Sequence, residues 1–197
     1  AIEKYNIIEQ TIENKEELLG IWWRGDIISF SMCNKIFKKE LFEDITFSEG
    51  KLSEDTELVS ILYKKVNKFF ISNKGIYYYR VREDSQTYNY TYYTHLCLFQ
   101  AHYKIYLELI KYPSLKKHQS IAFTRLLRRL ISAQQSNWDA DLSNHYSCLN
   151  AIIPSWKELN HIDCKTRIWL SMAKMFGCGF LSKIQIMYIR LKQKERL

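Results

Sequence analysis

Apolar residues recur at three- and four-residue intervals through most of the second half of the chain. Tyr92 to Lys111 sets Phe99, Tyr103, Tyr106, Leu107 and Ile110 along one stripe, and Leu115 to Gln135 does the same with Phe123, Leu126, Leu127, Leu130 and Ile131. That spacing predicts two long amphipathic helices. A looser stretch, "NWDADLSNH", leads to helical pieces at Cys148–Ile153 and Ile168–Phe176, and a last helix runs from Phe180 to Lys194. The first half is less regular. It offers a polar helix near Asn14 to Leu19, the aromatic stretch "GIWWRGDIISF" read as irregular, and a short amphipathic turn from Met32 to Phe37. After the loop "FSEGKLSED" a helix is expected from Asp55 to Val66, with Leu58, Ile61, Leu62 and Val66 on one face. "KFFISNKGIYYYRV" then gives two short strand-like runs, rich in β-branched and aromatic residues and broken at Ser72–Gly75. The pattern predicts an α+β chain, predominantly α-helical, without a self-contained doubly wound sheet.

Composition agrees. With 6 Gly and 2 Pro among 197 residues, the chain lacks the turn residues of a many-stranded sandwich. An apolar fraction of 47% with 25% charged residues places it in the globular class. The five cysteines (33, 97, 148, 164 and 178) are widely spread and never in CxxC spacing, so neither a zinc knuckle nor a disulfide framework is indicated, and a reducing cytosol fits best. No signal peptide and no bilayer-length apolar run is present. The start at Ala1 without Met suggests a processed or excised piece.

Charge changes the picture at one end. From Lys165 onward eight Lys/Arg face a single acid, Glu195, so this region holds +7 of the net +8. On the last helix Phe180, Leu181, Ile184, Met187, Tyr188 and Leu191 form an apolar stripe, while Lys183, Arg190, Lys192 and Lys194 lie off it. An apolar stripe with a basic flank suits a helix lying on an anionic membrane surface through residues 180–197; an ordinary core-facing helix reads the same way. Nucleic acid is not expected as a partner, because no binding motif or ordered aromatic–basic platform accompanies the charge.

Candidate chemistry is sparse. There is no GxGxxG and no GxxxxGK[ST] phosphate cradle. Asp139 and Asp141 of "WDADL" have the spacing of a cation-binding pair but follow no hydrophobic strand, which favours a solvated loop. The five His are scattered, and no metal ligand is assigned. In "SEDTEL", Glu54 and Asp55 stand at the mouth of an apolar helix with Ser53 as a plausible N-cap. Acids in a first turn are stabilised by free N–H groups and the macrodipole, with no chemistry required.

Three segments in fixed order bear on that pair: "NKIFKKELF" (34–42), "ITFSEGKLSED" (45–55) and "GIYYYRVREDS" (75–85). As a set they resemble the bacterial family-2 glycosyltransferases of capsule, O-antigen and exopolysaccharide synthesis, whose members commonly read WNKLYKRELF, IRFPEGxxxED and LYYYRQRxxS. Cys33 stands where Trp is usual, Leu58 where Phe is common and Asp84 where Gly is frequent. The resemblance covers residues 30–87. It implies that residues 1–90 are the acceptor-side part of a GT-A-like glycosyltransferase domain and that 91–197 form a helical C-terminal region. It further implies Asp55 as catalytic base of an inverting transfer. Glu54, Asn34 and Lys35 would lie on the acceptor side, and Arg80, Arg82 and Ser85 at the donor diphosphate. If Arg80 and Arg82 lie in a strand, they share a face; two ordinary surface arginines are the other reading. Tyr77 to Tyr79 are expected to pack.

The implied substrates are a nucleotide sugar and a glycan or polyprenyl-diphosphate-linked acceptor. The family also implies a divalent metal, Mg or Mn, whose DxD ligands are not in this chain. The corresponding location is cytoplasmic, peripheral at the inner face of the cell membrane. The alternative is a non-catalytic helical module that docks a protein partner or a membrane through its basic tail.

Overall fold

The computed structural model describes residues 9–24, 28, 30–47, 49–50, 52–82, 90–157, 159 and 163–194. Among these it forms seven α-helices and a two-stranded antiparallel sheet, the predominantly helical α+β class expected. No helix of the described residues is long and apolar enough to cross a membrane. The chain divides into two compact units, 1–50 with 54–89, and 51–53 with 90–197.

In the first unit, strand β1 (Glu9–Ile12) pairs with β2 (Phe69–Ser72) in the register Glu9↔Ser72 to Ile12↔Phe69. Helix α1 (Lys15–Arg24) starts where the Asn14 side chain accepts hydrogen bonds from the Glu16 and Glu17 N–H groups at 2.9 and 3.0 Å. This is an N-cap arrangement with acids in the first turn. The helix continues through the aromatic stretch read as irregular. Leu18, Leu19, Trp22 and Trp23 repeat at helical spacing and are all buried, so core packing carries the helix through Gly20. Trp22 meets Phe69 of β2 with ring centroids 5.6 Å apart. Helix α2 (Glu54–Lys65) completes this core with Leu58, Val59, Leu62 and Tyr63. Val66, just past its end, is buried too, whereas Ile61, assigned to the same face, is exposed. Lys15 donates from Nζ to the Lys64 carbonyl at 2.8 Å, satisfying one of the free carbonyls at the end of α2.

Residues 76–82, the second strand-like run, form no strand. They join neither strand of the described sheet, and Tyr77, Tyr78 and Tyr79 are exposed rather than packed. β-rich composition states a preference for a pleated, half-buried surface; it cannot supply the neighbour that makes one.

The second unit is helical. Helix α3 (Tyr92–Leu109) opens on a reciprocal capping box between Thr91 and Thr94, and α4 (Lys116–Ser136) follows after the tight turn Pro113–Leu115. The stripe expected on α4 is buried throughout. On α3 the buried face is rotated from the expected one, to Leu98, His102, Ile105 and Leu109 alongside Phe99 and Tyr106, with Ile110 exposed. Tyr106 packs edge-on to Phe123 of α4 and donates its hydroxyl to the Ile152 carbonyl at 3.1 Å. Helices α5 (Ser143–Asn150) and α6 (Cys164–Phe176) both start earlier than expected, α6 because the Asp163 carboxylate caps it through the Thr166 N–H at 2.9 Å. Helix α7 (Cys178–Lys194) begins after Gly177, at φ +87°. There the Asn150 side chain accepts from the Cys178 N–H at 2.8 Å and closely approaches Gly177.

The stripe assigned to α7 divides. Leu181 and, off the stripe, Ile186 are buried against the other helices, whereas Phe180, Met187 and Tyr188 face solvent. The helix is thus core-facing on one side, and its solvent side mixes apolar and basic residues.

His102 on α3 is buried, and desolvation together with the nearby Arg129 and Arg125 pushes its pKa down to about 3, against a hydrogen bond to Leu98. The folded chain therefore stays neutral there between pH 6.5 and 3, where the unfolded chain binds a proton. Stability should fall as pH drops through this window, by about 1.4 kcal/mol per pH unit at the steepest. Urea unfolding of the wild type and His102→Leu at pH 7, 6, 5 and 4 checks this. The stability difference between them should shift steadily below pH 6.5, and a pH-independent difference would refute it.

Candidate functional site

The "NK" and "ED" segments, some twenty residues apart in sequence, meet in the first unit. Asp55, the second residue of α2, is half-buried and accepts a hydrogen bond at Oδ2 from the Met32 N–H at 3.1 Å. Met32 opens a turn closed by the Lys35 N–H to the Met32 carbonyl at 3.3 Å and braced by the Cys33 N–H to the Ser31 hydroxyl, also at 3.3 Å. Lys35 is folded back over this turn. Its ammonium donates to the Ser31 carbonyl and to Asn34 Oδ1, the latter at 2.8 Å. Burial pulls the Lys35 pKa below the usual lysine range, and the nearby Asp55 carboxylate opposes that shift. Lys35 thus works electrostatically with Asp55, while Asn34 orients Lys35.

Glu54 is exposed beside Asp55. Ser53 has φ +66°, in the left-handed region rather than the extended backbone of an ordinary N-cap. A non-glycine residue held there is strained, and the strain lies two residues before Asp55. The segment 76–82 reaches the turn through Tyr77, whose hydroxyl pKa is raised by the hydrogen bond it donates to Cys33, by desolvation and by the neighbouring Tyr79. Arg80 and Arg82 are exposed on that segment. Without a strand there, the alternation that gave them a common face does not apply. Ser85 lies outside the described residues.

Asn34 and Lys35 also line a cleft of about 610 Å³. Lys38, Lys65 and Lys68 line it with them, and among the described residues no acid does. Asp55 is not part of this lining. Sequence reading passed over these lysines, although Lys35 with Lys38, and Lys65 with Lys68, each recur after three residues. Two are partly neutralised at the surface, Lys65 by Asp44 at 3.6 Å and Lys68 by Glu13 at 2.9 Å.

Among the described residues no three His, Cys, Asp or Glu side chains gather as a ligand set. Asp141 instead accepts from the Ser143 N–H at 2.9 Å at the start of α5, and Asp139 is exposed.

One curated protein shares part of this chain. A stretch of 80 residues, 39% of the chain, is 31% identical to the glycosyltransferase GlyA of Streptococcus pneumoniae serotype 4. The matched stretch spans 12% of that protein's length. No family model matches the chain. No solved structure matches it.

Two stability effects test the local geometry. Asp55→Ala leaves the part-buried Met32 N–H without its acceptor and should cost about 1–3 kcal/mol. Asp55→Asn keeps an oxygen there and should cost less than half as much. Equal losses in urea unfolding would show that the hydrogen bond is not what holds the turn. Ser53→Gly removes the left-handed strain at the expense of unfolded-state entropy, for a net gain of up to ~1 kcal/mol; a lower unfolding midpoint would contradict this.

Proposed function

We propose that this chain is the acceptor-side portion of an inverting glycosyltransferase, with Asp55 as the base. The observation that carries the reading is the convergence of Asp55, Lys35, Asn34 and the Met32 amide on one small turn. The partial likeness to a glycosyltransferase supports the same class of chemistry. A sugar hydroxyl is a weak nucleophile at neutral pH, and a carboxylate within hydrogen-bond reach removes its proton as the oxygen attacks the anomeric carbon. The new C–O bond forms on one face of the donor sugar while the bond to the nucleotide diphosphate breaks on the other, so configuration inverts. Met32 holds one carboxylate oxygen and leaves the other to take the proton. Lys35 stands beside the carboxylate with its ammonium held by the Ser31 carbonyl and Asn34 Oδ1. Glu54 and Asn34 border the acceptor.

Arg80, Arg82 and Ser85 are the proposed contacts to the leaving diphosphate, where guanidinium groups offset developing charge. The finer assignment follows the motif likeness: a family-2 enzyme of cell-surface polysaccharide synthesis, using a nucleotide-sugar donor and a glycan or polyprenyl-diphosphate-linked acceptor. It would work at the inner face of the membrane, which the helical unit reaches through residues 180–197.

The test is sugar transfer by the full-length protein. Asp55→Asn should lower kcat by about 10²–10⁴ with an unchanged circular dichroism spectrum. A variant that transfers within a few-fold of wild type would remove Asp55 from the role of base.

A further inference from the structure

The solvent side of α7 carries Phe180, Lys183, Met187 and Arg190, spaced three, four and three residues apart and so stacked in one row along the helix. All four are exposed, Phe180 at 50% and Met187 at 58%. This row lines a cleft of about 730 Å³ within the helical unit, together with Trp138 and Phe176. The Arg190 guanidinium lies 4.0 Å from the centre of the Trp138 ring, which fixes the charge at one end of the cleft. At the other end the Phe176 and Phe180 rings stand 5.4 Å apart. The floor is closed by Tyr146, whose buried hydroxyl lies beside Ser182 but outside hydrogen-bonding geometry, Ser182 donating instead to the Gly179 carbonyl. The acid in the lining, Asp141, is engaged by the Ser143 N–H, and that bond holds its pKa below the usual range.

This differs from a helix that lays a continuous apolar stripe into lipid. Leu181 belongs to the core and cannot turn outward while α7 stays folded. What is offered outward is two cations about two helical turns apart, with exposed aromatic and thioether groups between and beside them. Lysine and arginine keep their charges at headgroup level while apolar neighbours pass below it. The charge surplus of the chain after Lys165 has the same sign requirement.

We propose that this cleft seats the phosphate headgroup of an anionic phospholipid at a bilayer surface. Lys183 and Arg190 straddle the phosphate, and Phe180 and Met187 enter the acyl layer. The proposal rests on the reading that the helical unit meets a membrane, and it replaces diffuse adsorption of a basic helix by one defined seat.

The experiment is co-sedimentation of the full chain with phosphatidylglycerol-containing vesicles and with pure phosphatidylcholine vesicles. Two charge-matched double variants are compared, K183Q/R190Q in the cleft and K165Q/R167Q on the exposed first turn of α6. Binding should require phosphatidylglycerol. The cleft variant should bind about 30-fold more weakly, the effect of two basic residues at an anionic surface, and the α6 variant within about three-fold of wild type. Equal losses in the two variants, or no loss in the cleft variant, would overturn the seat and leave membrane association standing. Wild-type binding that is absent, or equal on both vesicle types, would overturn the membrane reading and the seat together.

Discussion

The hydrogen bond from the Met32 N–H to Asp55 is the constraint on which the candidate site depends. Residues 31–35 have no helix or strand of their own to hold them, and nothing in the turn's internal bonding fixes where it sits. Asp55 stands on the first turn of α2, and α2 is held in turn by Leu58, Leu62 and Tyr63 packing into the core shared with Trp22 and Trp23. Rigid core, helix, carboxylate and turn form a chain of positions, each set by the one before. Lys35 comes last: it is placed because the turn is placed, and Asp55 then opposes the fall that burial imposes on its pKa. A polar constellation on a loop acquires a fixed geometry in this way only when at least one member is anchored to a regular element.

The helical unit solves a different problem, how to end helices in close quarters without leaving backbone groups unpaired. Thr91 and Thr94 serve the start of α3, Asp163 that of α6 and Asn150 that of α7. Gln134 bonds from its side-chain amide to the carbonyls of Asn137, Trp138 and Ala140 and so shapes the turn that presents Trp138 to Arg190. Short polar side chains at the joints thus decide where the aromatic and basic groups of α7 and its neighbours stand.

Much of this was legible in the sequence, and the failures share a cause. The helices α2 and α4 are visible because their apolar spacing is strong and their ends are marked by polar residues. The buried face of α3 was misplaced because that helix is apolar nearly all round, so the pattern alone does not say which side is covered. Helix α1 was truncated at Gly20 because local propensity speaks against glycine, whereas burial of two tryptophans decides the outcome. Strand β1 depends on a partner some sixty residues away, and no local signal in "EQTI" announces it. Residues 76–82 show the converse, a strand-like composition with no strand to pair among the described residues. At the candidate site the motif resemblance singled out Asp55, Asn34 and Lys35, and the structure brings them together. The Met32 amide could not be found from side-chain types, because a backbone donor carries no signature in the sequence.

Cys33 gives the site an address for covalent chemistry. Its thiol is exposed, two residues from Lys35 and bonded to Tyr77, while the other exposed thiols, Cys148 and Cys164, belong to the helical unit. A thiol-reactive fluorophore or spin label attached there sits on the same turn as the lysine and one residue from the amide that binds Asp55. Occupancy of the turn can therefore be read from a label's environment without knowing what binds there.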